Sequence, residues 1–228
     1  MAHLAHYREA HPLVFVVTHW INLVAMALLI ITGFCIHFPF WAGFMGVARG
    51  VHVLCGAILL VNCIVRVVLA FIVKTSPDGG TREQVTDYKT WLPQADNRHQ
   101  LGAWIKYYLF LKKDHPLGAK LGVPQKISYV MIPVLIIVMA YTGFCLWVPT
   151  MQWGIFAGGV DLVGGLMSMR IIHYFMMYVF ICFMFIHVYL ANVEGFAPTK
   201  LMFLREEHGG LVYDPEKHVI VGEDKLDH

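Results

Sequence analysis

Four stretches of this sequence are each long and apolar enough to cross a bilayer, and they decide most of what the chain can be. They cover about 14–37, 50–73, 127–149 and 170–193. Composition agrees: 58% of residues are hydrophobic and 14% are charged, against about 25% charged in a soluble domain. The expected fold class is an all-α integral membrane protein, a four-transmembrane-helix bundle. The first apolar run is too long for a signal-peptide core and has no cleavage pattern, so it is expected to stay in place as a span. A net charge of +2 and the lack of a basic block argue against a nucleic-acid partner.

Charge sets the expected orientation. Nine Lys and Arg lie between Lys74 and Lys126, four more follow Gly195, and Arg8 precedes the first span. The other two loops hold little beyond Arg49 and Arg170. The positive-inside rule then puts both termini and the connection 74–126 in the cytoplasm. That connection contains NRHQLGAWIKYYLFLKK, whose apolar and aromatic side chains suit the membrane interface. Residues 1–195 are expected to form one transmembrane domain. Residues 196–228 read as a cytoplasmic C-terminal tail with turn signals in GG, DP and VGED.

Cys35, Cys55, Cys63, Cys145 and Cys182 all fall in apolar runs and form no CxxC pair, so they read as packing residues. The sequence also echoes itself. ITGFCIHFPFW (31–41) near the end of span one resembles YTGFCLWVPTMQW (141–153) near the end of span three, and Arg49-x-x-His52 resembles Arg170-x-x-His173. Two echoes in the same order point to related helical hairpins.

Histidines inside the spans carry the chemistry. His19 lies about one turn inside the cytoplasmic end of span one, and His52 near the outer start of span two. Span four holds His173 near its outer start and His187 toward its cytoplasmic end. Fourteen residues of helix rise about 21 Å and return to within about 40° of the starting direction. One face of span four therefore offers an imidazole in each leaflet, and each has a partner at its own depth on another helix. Imidazole at membrane depth calls for a use. Bundles build cofactor sites from facing helices, and two opposed imidazoles suit haem iron. Zinc wants three or four clustered ligands, which neither pair supplies. The bland alternative is a hydrogen bond from each histidine to a neighbouring helix.

Arg49 and Arg170 sit one turn before the outer histidines, as propionate partners or as interfacial anchors. Arg66, deep in span two, needs an anion; an inner-haem propionate and a snorkelling guanidinium are the two options. His37 reads as an interfacial, solvated residue.

These residues resemble the di-haem cytochrome b membrane subunits of periplasm-facing nickel–iron hydrogenases and of formate dehydrogenase N, the bacterial cytochrome b561 type. The matching stretches are THW (18–20), RGVH (49–52) with Arg66, WIKYYLFLKK (104–113), GVPQK (122–126), YTGFCLW (141–147) and RIIH…FIHVYLA (170–191). YYLFLKK leans toward the hydrogenase branch and GVPQK toward formate dehydrogenase. Two positions depart from the family pattern: Val16 stands where many members have arginine, and Gly122 where formate dehydrogenase subunits have asparagine.

The resemblance implies two b haems, the outer one ligated by His52 and His173 and the inner one by His19 and His187. It implies menaquinone reduction beside the inner haem, near Gln125 and His187, with Glu194 able to pass protons. For Gln125, helix capping or interfacial solvation is the alternative. The implied partners are the iron–sulfur small subunit and the catalytic large subunit of the hydrogenase or formate dehydrogenase, with membrane lipid around the spans. The whole complex has room to homo-oligomerise. The implied location is the bacterial cytoplasmic (inner) membrane. With no Cys cluster and no dinucleotide fingerprint, the chain is not expected to be catalytic alone. The same scaffold run backwards is a quinol-oxidising module for a periplasmic reductase, such as a thiosulfate reductase.

Overall fold

A computed structural model of the protein describes residues 3–4, 12–40, 42–75, 84–92, 99–112, 123–192, 196–205, 211–214 and 219–223. In chain order the helices are α1 (Leu13–His37), α2 (Met45–Ile72), α3 (Tyr88–Trp91), α4 (Leu101–Tyr108), α5 (Val123–Leu146), α6 (Gly154–Leu162), α7 (Leu166–Asn192) and α8 (Ala197–Leu204). The strands are β1 (His3–Leu4), β2 (Lys74–Thr75), β3 (Val85–Thr86), β4 (Leu211–Asp214) and β5 (Val219–Glu223). Helices α1, α2, α5 and α7 are each long and apolar enough to span a membrane. The protein is an all-α, four-helix integral membrane bundle.

Helices α2, α5 and α7 begin about four residues before the apolar runs that announce them. The added first turns, MGVA, VPQK and LMSM, carry one charge between them, Lys126, and join the helix because its first N–H groups have no partner there anyway. Pro124, near the start of α5, is well placed for the same reason. Pro133 sits inside α5 without ending it, a substitution spanning helices tolerate because neighbouring helices satisfy the freed carbonyl. Helix α5 stops at Leu146, ahead of the expected 149. Pro149 disfavours helix at Val148, and the Thr150 hydroxyl donates to the Phe144 carbonyl at 2.7 Å. Just past the end of α6 come Gly164 (φ +85°) and Gly165 (φ +114°). The Gly165 N–H closes on the Val160 carbonyl at 2.9 Å, and the chain turns at once into α7.

The chain forms two compact units, each drawing on all four long helices. One comprises Thr18–Val65 and Ile132–Ile186. Its core is Ala25, Cys55, Leu59, Cys63, Ile136 and Phe180. Small residues at this core let the helices approach, which matters where lipid offers no hydrophobic drive to associate. Ile31, Leu54, Ile137 and Phe175 are exposed, as lipid-facing residues should be. Asn62 donates through Nδ2 to the Thr18 carbonyl (2.7 Å) and to Asn22 Oδ1 (2.6 Å), pinning α2 to α1 beside His19.

The other unit comprises Met1–Val17, Arg66–Met131 and His187–His228. Strands β2 and β3 pair antiparallel, Lys74 opposite Thr86 and Thr75 opposite Val85. Strands β1, β4 and β5 form a second antiparallel sheet in that order. Helix α4 falls inside the stretch read as interfacial. It buries Trp104 and Tyr108 while Leu109, Phe110 and Leu111, just beyond its end, are exposed. The Tyr189 hydroxyl donates to the Tyr108 carbonyl at 2.7 Å, tying α7 to the end of α4.

Candidate functional site

The first unit contains one facing pair of histidines. His52 is in the second turn of α2 and His173 in the second turn of α7, and their ring centroids lie 6.2 Å apart with 65° between the ring planes. A metal held between two imidazole nitrogens at about 2 Å each puts the centroids about 6 Å apart. The separation of the pair fits two imidazoles that would hold one iron between them.

Each ring is held by a threonine from the partner helix of its own hairpin. Thr32 Oγ1 of α1 lies 2.9 Å from His52 Nδ1. Thr142 Oγ1 of α5 lies 2.8 Å from His173 Nδ1. Both threonines belong to the repeated TGFC, so the sequence echo is also a chemical one. The glycine of each repeat is where the histidine ring lies against the helix. A Cβ on Gly33 would sit 3.6 Å from His52 Cε1 and 3.3 Å from Met177 Sδ. A Cβ on Gly143 would sit 3.5 Å from His173 Cε1. A methyl group at either position would already be in contact with the ring, so each glycine marks a close approach of ring to helix. With Nδ1 occupied, Nε2 is the nitrogen left to bind, and the residues present fit a bis-histidine haem.

Arg49 and Arg170, one turn before these histidines, are both exposed. His37 is exposed too, and its ring stacks on Tyr174 with centroids 3.7 Å apart and planes within 5°. The Tyr174 and Tyr178 hydroxyls are 2.8 Å apart. His19, half-buried, meets the edge of Trp20 at 5.8 Å between centroids.

The second unit holds His187, which is exposed, and Gln125, which is half-buried in the first turn of α5. Glu194 lies outside the described residues. Arg66 has an anion that the sequence did not suggest. Its Nη2 lies 2.8 Å from Asp87 Oδ2, with the Asp87 side chain 1% exposed and that of Arg66 18% exposed. Asp87 also accepts from Thr75 Oγ1 (3.0 Å) and Trp91 Nε1 (3.1 Å). The guanidinium carbon sits 3.8 Å from the Phe15 ring centroid and 5.0 Å from that of Trp91. Arg66 Nη1 is buried with no hydrogen-bond partner. That open donor still fits an anionic group such as a propionate. Next to Gln125, Lys126 Nζ donates to the Leu92 carbonyl at 3.1 Å.

The structure brings the expected His52 and His173 face to face and places beside the expected residues three that the sequence reading did not name. Thr32 and Thr142 carried a usable signal: the same hydroxyl at the same place in both echoes, on the helix preceding each outer histidine. Asp87 carried none, being one acid among several in a long polar connection.

No curated protein matches the chain. Residues 10–204, which include all four spanning helices, match the family described as prokaryotic cytochrome b561. The chain belongs to that family: it is a multi-pass prokaryotic membrane cytochrome that binds haem b and serves electron transfer across the membrane.

Proposed function

We propose that the chain carries electrons through two b haems, from a periplasm-facing nickel–iron hydrogenase to menaquinone on the cytoplasmic side of the inner membrane. The observation that carries this reading is the His52–His173 pair, spaced for one iron and braced by Thr32 and Thr142. When bound, haem supplies one-electron carriage at each of two levels. His52 and His173 hold the outer group, and Arg49 and Arg170 offer exposed guanidinium groups to its propionates. His19 and His187 are the pair assigned to the inner group from their sequence spacing, and Arg66 Nη1 is the donor available to an inner propionate.

Gln125 binds a quinone oxygen in this reading. Its amide donates to a carbonyl or accepts from a hydroxyl, as the two redox forms require. His187 offers its second ring nitrogen, and Glu194 a proton route. Residues 1–195 act as the di-haem domain, with 196–228 as a cytoplasmic tail. The partners are an iron–sulfur small subunit and a catalytic large subunit. The hydrogenase assignment rests on YYLFLKK, within residues 107–113.

GVPQK (122–126) favours a second reading, in which formate dehydrogenase is the electron donor. The test is reduction of the cytochrome in intact membranes, with deletion of each candidate dehydrogenase. Reduction by H₂ that disappears with the hydrogenase supports the first reading. Reduction by formate alone supports the second. Reduction by quinol, passed on to a periplasmic acceptor such as thiosulfate, would reverse the direction.

A further inference from the structure

The repeated TGFC is more than a relic of related hairpins. We propose that Thr32 and Thr142 are paired positioning residues that accept the Nδ1 proton of His52 and His173, present both Nε2 atoms to iron, and lower the iron's potential through the two rings. This rests on the reading that these histidines ligate one haem.

The hydrogen bonds decide the tautomer. A hydroxyl has one proton to give and two lone pairs to receive with. Thr32 Oγ1 lies 2.6 Å from the Leu28 carbonyl oxygen and 2.9 Å from His52 Nδ1. A carbonyl can only accept, so the hydroxyl proton goes to Leu28. Were it given to the ring instead, two acceptor oxygens would face each other at 2.6 Å with nothing between them. Toward the ring the threonine therefore presents a lone pair, and Nδ1 is the protonated nitrogen. The same argument holds for the second pair. Thr142 Oγ1 lies 2.9 Å from the Met139 carbonyl and 2.8 Å from His173 Nδ1. In both neutral rings the free lone pair is then on Nε2, the form a metal takes. Back-bonding of threonine to its own helix is common. What is particular here is that the same hydroxyl also receives from a ring on the next spanning helix.

The effect on the iron follows from charge. An acceptor on Nδ1–H makes the imidazole a stronger donor at Nε2. A stronger donor favours the more positive oxidation state and so lowers the reduction potential. Both ligands carry the same brace, so the two effects add on one iron.

The experiment is a potentiometric titration of the full chain in its native membranes, with haem content measured alongside. The His52→Ala variant identifies which spectral component belongs to this pair. Thr32→Val and Thr142→Val should keep that component and move its midpoint to higher potential, and the double variant should move it further. Thr32→Ser and Thr142→Ser keep the hydroxyl and should titrate like the parent. A purely structural role would lower haem content or thermal stability in the valine variants but leave the midpoint in place. Should the valine variants lose the haem, Thr32→Cys and Thr142→Cys offer a weaker acceptor of similar size, and the same upward shift is required of them. An unmoved midpoint with the haem retained overturns the proposal. A His52→Ala protein that keeps both components overturns the ligand assignment beneath it.

Discussion

Arg66 and Asp87 form a buried ion pair, Nη2 to Oδ2 at 2.8 Å, across a 21-residue separation that joins α2 to the residue before α3. The carboxylate accepts three donors and is 1% exposed, so removing its charge strands a guanidinium in a poorly hydrated place. Asp87→Ala should cost about 3 kcal/mol, the scale for breaking a buried pair from one side. A lower midpoint for thermal unfolding in detergent, relative to an exposed control such as Asp161→Ala, is the measurement. Equal midpoints would mean that water reaches the pair.

Haem content should respond to the histidines in pairs. His52→Ala and His173→Ala are expected to lose the same spectral component, and His19→Ala and His187→Ala the other. Pyridine haemochrome analysis should fall from two haems per chain to one in each variant. If His52→Ala and His19→Ala bleach the same component, the pairing by depth is wrong.

Gly33 and Gly143 set how close each ring lies to its neighbouring helix. Alanine at either place makes contacts of 3.3–3.6 Å, which small side-chain adjustments absorb. Leucine has no such space. Gly33→Ala and Gly143→Ala should keep the haem, while Gly33→Leu or Gly143→Leu should displace the ring and lose it. The visible spectra of the four variants check this, and a Leu variant with an unchanged spectrum would count against the close fit.

Gln125→Leu should retain both haem spectra and reduce electron transfer to a soluble menaquinone analogue by up to about tenfold, on the scale of one lost hydrogen bond that matters to turnover. Turnover at the parent rate would move the quinone site elsewhere.

The sequence made the spans legible because hydrocarbon imposes a length and a composition that few other environments demand. It made the histidines legible because imidazole is out of place there. Helix starts were less visible: the first turns of α2, α5 and α7 need no apolar side chain, only freedom from an unsatisfiable N–H. Helix α6 was missed altogether, since GIFAGGVDL is short and glycine-rich and owes its form to its surroundings. One such contact is the Tyr141 hydroxyl donating to the Ile155 carbonyl at 2.8 Å. Arg66 was visible as a charge needing a counter-charge. Which acid supplies it depends on the pairing of β2 with β3, which brings Asp87 to the end of α2, and no local pattern states that.

The two threonine–histidine bonds each close within a single hairpin, Thr32 of α1 with His52 of α2 and Thr142 of α5 with His173 of α7. The two histidines they brace belong to different hairpins. Each imidazole is thus aimed by contacts inside its own hairpin, and a haem held by both histidines would be the rivet between two halves already shaped to receive it.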